Sequence, residues 1–278
     1  MSKAIPATGD EGPQTWHYGV VARWWAEFNT ADAAELAYFR GAIERFGEPA
    51  LDLACGTGRL LIPLLAAGLD VDGADLSPDM LALAREAATA QGLLPVLYAS
   101  AMHELNLPRR YRTIYCCDSF GLGGHREHDR LALRRVFEQL DPGGALVFSH
   151  YYPYDDVEPN AWASWLPEHR ADYPRPWPAE GDRRLAANGD EMELISRTAD
   201  LDPYLQRQTL EMRAIVRRAD KVVDDETAVL HENLYFAQEL LLILELAGFG
   251  EVTIEGSYTG QPASPTDSAV VFVARRPA

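Results

Sequence analysis

Short apolar runs and helix-like stretches alternate five times between residues 50 and 152. The apolar runs are ALDLA (50–54), DVDGADL (70–76), PVLYAS (95–100), YRTIYCCDS (111–119) and ALVFSHYY (145–152). Such runs, bounded by turn residues, are typical of strands, and the stretches between them have helical spacing. Strands that alternate with helices predict an α/β fold, in which a mostly parallel sheet carries helices on both faces.

Helix-start signals support this division of the chain. Residues 17–47 have apolar residues at helical spacing, with Thr30 or Asp32 as the N-cap of a helix inside them. Ser77 followed by Pro78 is a strong start for the helix after the second strand, because serine caps the first turn and proline fits the first helical position.

The alternation of strands and helices breaks after residue 152. Residues 153–186 are rich in Pro, Trp and Tyr and have no periodicity, whereas residues 190–233 alternate as consecutive antiparallel strands would. A helix (236–247) and two last strands (251–258 and 269–276) close the chain, and the strands are predicted to form an antiparallel C-terminal pair.

The sequence therefore predicts three parts. Residues 1–47 are predicted to form an N-terminal helical cap, and residues 48–152 together with 234–278 are predicted to form the core. Residues 153–233 are predicted to form an insert of loop and antiparallel strands, which either covers the carboxyl edge of the sheet as a lid or builds a dimer interface.

The first strand runs into a turn with almost no side chains, CGTG, in which Gly56 and Gly58 flank Thr57. Glycine lets a backbone approach a ligand closely, and Asp75, about twenty residues later, is placed to accept hydrogen bonds from ribose hydroxyls. This pattern predicts a nucleoside-containing cofactor. Dinucleotide sites carry a third glycine where this chain has Leu61, which disfavours NAD or NADP.

Five motifs in order resemble the class I S-adenosylmethionine-dependent methyltransferases, whose core is a Rossmann-like sheet. The motifs are DLACGTG (52–58), DGADLSPDML (72–81), ASAMHEL (99–105), CCDSFGLGG (116–124) and LDPGGALVF (140–148). Ala54 stands where many members have glycine, and the third motif lacks the aspartate often found there. The resemblance implies S-adenosylmethionine as cofactor.

The resemblance also implies a set of cofactor contacts, which includes an aromatic cover from the N-terminal helix. The implied contacts are Tyr18, Asp52, Ala54, Cys55, Gly56, Thr57, Gly58, Asp75, Leu76, Met80, Ala101, Met102, Asp118, Ser119 and Phe120.

Two histidines near strand ends are the candidate catalytic residues. His125 follows the fourth strand and His150 ends the fifth, and either is suited to take a proton from an oxygen or nitrogen acceptor. His125 and His128 are spaced as a metal-binding pair on a helix, but no carboxylate signature accompanies them, so no metal is predicted. The candidate substrate-binding residues are the aromatic Tyr151, Tyr152, Trp162 and Trp165.

The charge of the chain bears on its partners. A formal net charge of −17 repels nucleic-acid phosphates, and neither an Asn/Asp-Pro-Pro-aromatic motif nor a Pro-Cys pair marks a nucleic-acid enzyme. No run is apolar enough for a membrane span or a signal peptide, and three cysteines without a disulfide pattern fit a cytoplasmic protein. We expect a small-molecule methyl acceptor and a monomer or homodimer.

The expected reaction is transfer of the methyl group to an N or O atom of the small molecule by in-line displacement, mainly through positioning. Two alternatives stay open: an NAD(P)-type oxidoreductase, and a cofactor-binding protein that has lost transfer activity.

Overall fold

The structure is a computed structural model that describes residues 3–4, 15–152, 161–267 and 269–278. The helices are α1 (Gly19–Phe28), α2 (Ala33–Phe46), α3 (Leu61–Ala66), α4 (Pro78–Ala90), α5 (Arg126–Gln139) and α6 (Ala237–Ala247). The strands are β1 (Lys3–Ala4), β2 (Ala50–Leu53), β3 (Val71–Asp75), β4 (Leu97–Ala99), β5 (Tyr111–Cys116), β6 (Leu140–Tyr151), β7 (Asp182–Leu185), β8 (Glu191–Asp202), β9 (Arg207–Arg218), β10 (Lys221–Asn233), β11 (Glu251–Gly256) and β12 (Ala269–Arg275). Short 3-10 helices cover Met102–Glu104, Ala161–Trp165 and Pro167–Asp172.

Seven strands form one sheet in the order β11-β12-β6-β5-β2-β3-β4. The five strands from β6 to β4 pair in parallel, whereas β12 pairs antiparallel with β6 and β11 antiparallel with β12. The predicted mostly parallel sheet with an antiparallel C-terminal pair is confirmed.

Helices cover both faces of this sheet. Neighbouring residues of a strand point to opposite sides, so each face of the sheet presents apolar side chains to the helices that pack on it. Phe148 of β6 lies in a buried cluster with Leu133 of α5 and Leu240 of α6. Val147, one residue earlier, lies in a second cluster with Phe39 of α2 and residues of α3 and α4. The two-sided burial explains why the central strands are almost continuously apolar.

The helix signals predicted from sequence are present in the structure. Asp32 is the N-cap of α2, where its carboxylate accepts hydrogen bonds from the N–H groups of Ala34 at 2.8 Å and Glu35 at 3.3 Å. The Ser77 hydroxyl accepts a hydrogen bond from the N–H of Met80 at 3.2 Å and caps α4. Helix α6, predicted over residues 236–247, ends at Gly248, which has the left-handed conformation.

The predicted insert supplies four of the five strands of a second sheet, whose order is β1-β10-β9-β8-β7. Strands β8, β9 and β10 form an antiparallel meander, as the alternation of residues 190–233 predicts. Strand β7 adds to one edge of this sheet and lies in the stretch for which no strand was predicted, while β1 pairs parallel with β10 at the other edge. Residues 153–160, which open the predicted insert, lie outside the described residues.

The chain divides into two compact units, each containing one of the sheets. Unit 1 consists of Met1–Asn29, Gly121–His125 and Tyr154–Leu234, and it holds the five-stranded sheet. Unit 2 consists of Thr30–Phe120, Arg126–Pro153 and Tyr235–Ala278, and it holds the seven-stranded sheet.

The N-terminal stretch predicted as one cap, residues 1–47, is divided between these units. Helix α1 packs Trp24 against Met212 of β9 and belongs to unit 1. Helix α2 packs Phe39 against Val147 of β6 and belongs to unit 2. The two helices bury their apolar faces against different sheets, which helical periodicity alone does not reveal. Across the described part of the chain, no helix has the length and apolarity that a membrane span requires.

Candidate functional site

The site predicted from the glycine turn lies in unit 2, where the order of the strands reverses. From β2 the chain moves to β3 and β4 on one side, and then to β5 and β6 on the other. In an open parallel sheet, a ligand binds beyond the carboxyl ends of the strands at such a reversal. The segments that follow β2, β3 and β5 are therefore the ones placed to bind it.

The turn after β2 has the backbone freedom that its glycines suggest. Gly56 and Gly58 have φ angles of +53° and +84°, which side chains disfavour. A Cβ added to Gly56 would meet no atom within 4 Å, so the backbone there faces open space. Ala54 also has a positive φ, +61°, a conformation that glycine adopts without strain. This explains why glycine is common at this position in the methyltransferases that the sequence resembles.

Asp75 ends β3 and is tied directly to this turn. Its Oδ2 accepts a hydrogen bond from the N–H of Gly56 at 2.8 Å, and its Oδ1 accepts one from the N–H of Ser77 at 2.8 Å. Burial raises the pKa of the carboxyl, and these two N–H groups act against the rise. Because each oxygen has a second lone pair, the carboxylate is oriented and still able to accept from ribose hydroxyls.

Asp52 is buried in β2 just before the turn and is 3% exposed. Burial raises the pKa of its carboxyl to about 8, so the group is largely protonated at neutral pH. A hydrogen bond with the Tyr115 hydroxyl acts against this rise of the pKa but does not outweigh burial. The predicted contact of Asp52 with the cofactor stays a prediction.

The segments after β3 and β4 bring further predicted residues to the same edge. The N–H of Ser100 donates to the backbone oxygen of Asp75 at 3.0 Å, which holds the loop with Ala101 and Met102 beside Asp75. Ala101 is buried and Met102 half-buried. Leu76 and Thr57 are also half-buried.

Some predicted contacts have side chains that the structure packs into the core. Met80 is 2% exposed, and the pKa of the buried Cys55 thiol is raised by burial. Phe120 packs against Phe148, with ring centroids 5.4 Å apart. The Ser119 hydroxyl donates to the backbone oxygen of Cys117 at 2.9 Å. The predicted ligand contacts of these residues stay predictions.

A polar network that the sequence analysis did not predict links α2, the glycine turn and the segment after β5. Arg59, directly after the glycine turn, donates through both terminal nitrogens to Glu35 of α2, with Nη2 2.8 Å from Oε1. The same Nη2 lies 3.2 Å from Sγ of Cys117, and that thiol donates to Glu35 at 2.7 Å. Burial acts to raise the pKa of Glu35, but the hydrogen bonds from Arg59 and Cys117 outweigh it and lower that pKa.

The two candidate catalytic histidines have different surroundings. His150 is 8% exposed, and its Nε2 lies 2.8 Å from the backbone oxygen of Tyr235, so Nε2 carries the proton and donates. Burial lowers the pKa of His150, which keeps it neutral. His125 is half-buried in unit 1, and so is Tyr18, whose N–H donates to the backbone oxygen of Trp16 at 2.8 Å.

The predicted substrate-binding residues are spread along the chain. Tyr151, at the end of β6 in unit 2, is 51% exposed, and Tyr152 after it is half-buried. Trp165 is half-buried at the end of a 3-10 helix in unit 1. The side chain of Trp162 lies outside the described part of the structure.

Comparison with known proteins shows what the chain is similar to. The family model described as "Methyltransferase domain" matches residues 50–144. A protein of Geobacillus sp. (strain WCH70) named as a methyltransferase is 27% identical over 229 residues, which are 81% of this chain and 83% of that protein. A sugar N,N-dimethyltransferase of Streptomyces fradiae, named for dTDP-3-amino-3,6-dideoxy-alpha-D-glucopyranose, is 37% identical over 121 residues, 43% of this chain and 40% of that protein.

A solved structure extends the likeness of the fold beyond the matched domain. An amino pentose methyltransferase from Micromonospora echinaspora, solved with bound S-adenosylmethionine, covers 95% of this chain. This chain covers 99% of it in turn, with a TM-score of 0.64 and 21% identity.

The residues around the glycine turn fit the cofactor of this family. The backbone at Gly56 faces open space, and the oriented carboxylate of Asp75 keeps free lone pairs, so the geometry fits the predicted contact with ribose hydroxyls. Leu61 is fully buried and packs where a dinucleotide site would have its third glycine. Residues 50–144 therefore match a methyltransferase domain, and the motifs and sheet order of the chain are similar to those of the class I S-adenosylmethionine-dependent methyltransferases.

Proposed function

We propose that this enzyme transfers the methyl group of S-adenosylmethionine to an amino nitrogen or hydroxyl oxygen of a small molecule, with amino sugars as the first acceptor class to test. The observation that carries the cofactor half of the proposal is Asp75 held between the N–H groups of Gly56 and Ser77 beside an open glycine backbone. The amino-sugar class is supported by the names of the Streptomyces and Micromonospora proteins.

S-adenosylmethionine supplies a methyl group on a positively charged sulfur, which is already an activated electrophile. The protein therefore has to position the acceptor and exclude water, and such positioning contributes about 7–11 kcal/mol in well-oriented reactions. In the proposal, Asp75 and the glycine turn hold the ribose and the methionine end. The acceptor roles predicted from the sequence, His125 as the base and Tyr151, Tyr152, Trp162 and Trp165 as binding residues, stay predictions.

His150 has a different part in this proposal. Its Nε2–H is committed to the backbone oxygen of Tyr235, and the ring is almost fully buried. A neutral imidazole in this position leaves only Nδ1 able to accept a proton. We infer that His150 supports the end of β6, where Tyr151 and Tyr152 follow, and that His125 is the better candidate for the base.

Radiolabelled S-adenosylmethionine tests the proposal directly. The purified enzyme is incubated with amino sugars and their nucleotide-linked forms, with matched sugars in which a hydroxyl replaces the amine, and with phenols. Label in an amine or hydroxyl product is expected. Calorimetry should show binding of S-adenosylhomocysteine and none of NAD. Cofactor binding without transfer to any acceptor would favour the alternative of a cofactor-binding protein that has lost transfer activity.

Gly58→Val is the matching loss-of-function variant. Valine at φ +84° is strained, and its Cβ would lie 3.0 Å from the side chain of Ile62, so the turn should be displaced and S-adenosylhomocysteine binding abolished. Gly68→Val is the control, because Gly68 has nearly the same φ, +85°, and its Cβ would meet no atom within 4 Å. If both variants lose S-adenosylhomocysteine binding equally, the loss comes from the backbone strain of valine at a positive φ and not from displacement of the glycine turn.

A further inference from the structure

Asp118 has an unusual backbone conformation for a residue with a side chain. It follows β5 with a φ of +52°, in the left-handed region that L-residues other than glycine rarely adopt. Glycine would adopt this conformation without strain, but the chain carries a carboxylate here. Aspartate tolerates this region better than most residues, so the contacts of the side chain, and not the conformation alone, decide whether it has a function.

A hydrogen-bonded ring holds this carboxylate in one orientation. The hydroxyl oxygen of Ser149 accepts from the N–H of Asp118 at 2.8 Å, and the same hydroxyl donates to Asp118 Oδ1 at 2.5 Å. Ser149 is itself 2% exposed within β6. One buried serine thus fixes both the backbone and one oxygen of Asp118, and the side chain stays 32% exposed.

The charge of Asp118 is not cancelled by its neighbours. Arg59 is 3.9 Å from Oδ2 at its nearest, but both of its terminal nitrogens hydrogen bond to Glu35, which neutralises it. Burial raises the pKa of the Cys117 thiol, so Cys117 adds no charge. The donor atoms of Glu35, Cys117 and Asp118 lie within 4.8 Å of one another, but the guanidinium already provides the cation that a metal would supply there.

We propose that Asp118 binds the amino group of the methyl acceptor, in place of the cofactor contact that the resemblance implies for it. The inference rests on the proposed function and narrows it to acceptors with a basic nitrogen. A fixed, partly exposed carboxylate at the carboxyl edge of the sheet favours an ammonium group over a neutral hydroxyl, because attraction between opposite charges is added to the hydrogen bond. Ser149 acts as a positioning residue.

Sinefungin tests this inference without knowledge of the acceptor. It carries an amine where S-adenosylmethionine carries the methyl group that is transferred, whereas S-adenosylhomocysteine carries nothing there. We expect Asp118→Asn to weaken sinefungin about tenfold in calorimetry and to leave S-adenosylhomocysteine within twofold of wild type. Ser149→Ala should weaken sinefungin by a smaller factor, with S-adenosylhomocysteine again unchanged.

Two variants separate function from backbone strain. Asp118→Gly relieves the left-handed strain and should raise the melting temperature while it weakens sinefungin as Asp118→Asn does. Asp220→Gly is the control, because Asp220 has a φ of +63° in an exposed turn of unit 1. It should raise the melting temperature and leave both ligands unchanged.

The possible outcomes are distinct. If Asp118→Asn weakens sinefungin and S-adenosylhomocysteine equally, Asp118 contacts the cofactor and the inference is overturned. If Asp118→Asn binds both ligands as wild type does, the inference is overturned as well. Transfer only to hydroxyl acceptors in the labelled screen also overturns it and leaves the proposed function intact. If wild type binds neither ligand, the proposed function itself fails.

Discussion

The proposed role of Asp75 in binding the cofactor can be measured directly. Replacing it by alanine removes a charge-assisted acceptor, which is worth about 1.5–3 kcal/mol. We therefore expect the affinity for S-adenosylhomocysteine to fall roughly tenfold to a hundredfold in calorimetry. Part of the loss comes from the N–H groups of Gly56 and Ser77, which lose their common partner.

The asparagine variant refines this prediction. Its amide has one acceptor oxygen, so it can satisfy either Gly56 or Ser77 but presents an N–H to the other. Asp75→Asn should therefore bind nearly as poorly as Asp75→Ala, although its volume is unchanged. Glu86→Ala, on the exposed face of α4, is the control and should bind as wild type does. Wild-type affinity in Asp75→Ala would remove this residue from the site.

The sequence predicts contacts between residues that are close together along the chain. Gly56 and Asp75 are 19 positions apart, a separation set by one helix and one strand, and they are hydrogen bonded in the structure. The pairing of Arg59 with Glu35, 24 positions apart, and with Cys117, 58 positions apart, depends on how helix α2 packs on the sheet. No motif spacing carries that information.

Glu193 is the buried charge of strand β8 and is 2% exposed. Burial acts to raise its pKa, but hydrogen bonds from Arg183 of β7 and Arg217 of β9 outweigh it and lower the pKa to about 2. A carboxyl whose pKa falls from 4.5 to about 2 on folding contributes stability above pH 4.5, and the contribution is lost as pH falls toward 2.

Glu193→Gln should therefore lower the free energy of unfolding by about 3 kcal/mol at pH 7. The difference from wild type should shrink as the pH is lowered from 4.5 toward 2, which urea unfolding at a series of pH values measures. Asp225→Asn is the control, since Asp225 pairs with Arg213 at the surface and such pairs contribute at most about 1 kcal/mol. A constant difference across that pH range would contradict the assigned pKa.

At the scale of single strands and helices, the sequence predicts strands whose apolar and polar residues alternate. It does not predict a strand that exists only because a neighbouring strand pairs with it. The alternation in residues 190–233 corresponds to β8, β9 and β10. Strand β7 has the sequence DRRL and all of its residues are exposed, so it has no apolar alternation and is a strand because β8 pairs with it. Charged residues on such an edge are a common way to prevent further pairing.

The whole molecule consists of two compact units through which the chain passes back and forth. It crosses between them five times: after residues 29, 120, 125, 153 and 234. The glycine turn and Asp75 belong to unit 2, while the meander β8-β9-β10 belongs to unit 1. Repeated crossings tie the folding of one unit to that of the other, so we expect a single cooperative unfolding transition.

The distribution of tryptophan gives this protein an optical reporter that needs no label. All six tryptophans, at positions 16, 24, 25, 162, 165 and 177, belong to unit 1, whereas Gly56 and Asp75, the proposed cofactor residues, belong to unit 2. S-adenosylhomocysteine at 100 times its Kd should add about 2.7 kcal/mol to the free energy of unfolding. If the units unfold together, the tryptophan fluorescence transition should shift to higher urea by the same amount as the circular dichroism transition. A fluorescence midpoint that does not move would show that the units unfold separately. The emission of one unit therefore reports the occupancy of a site in the other through their shared stability.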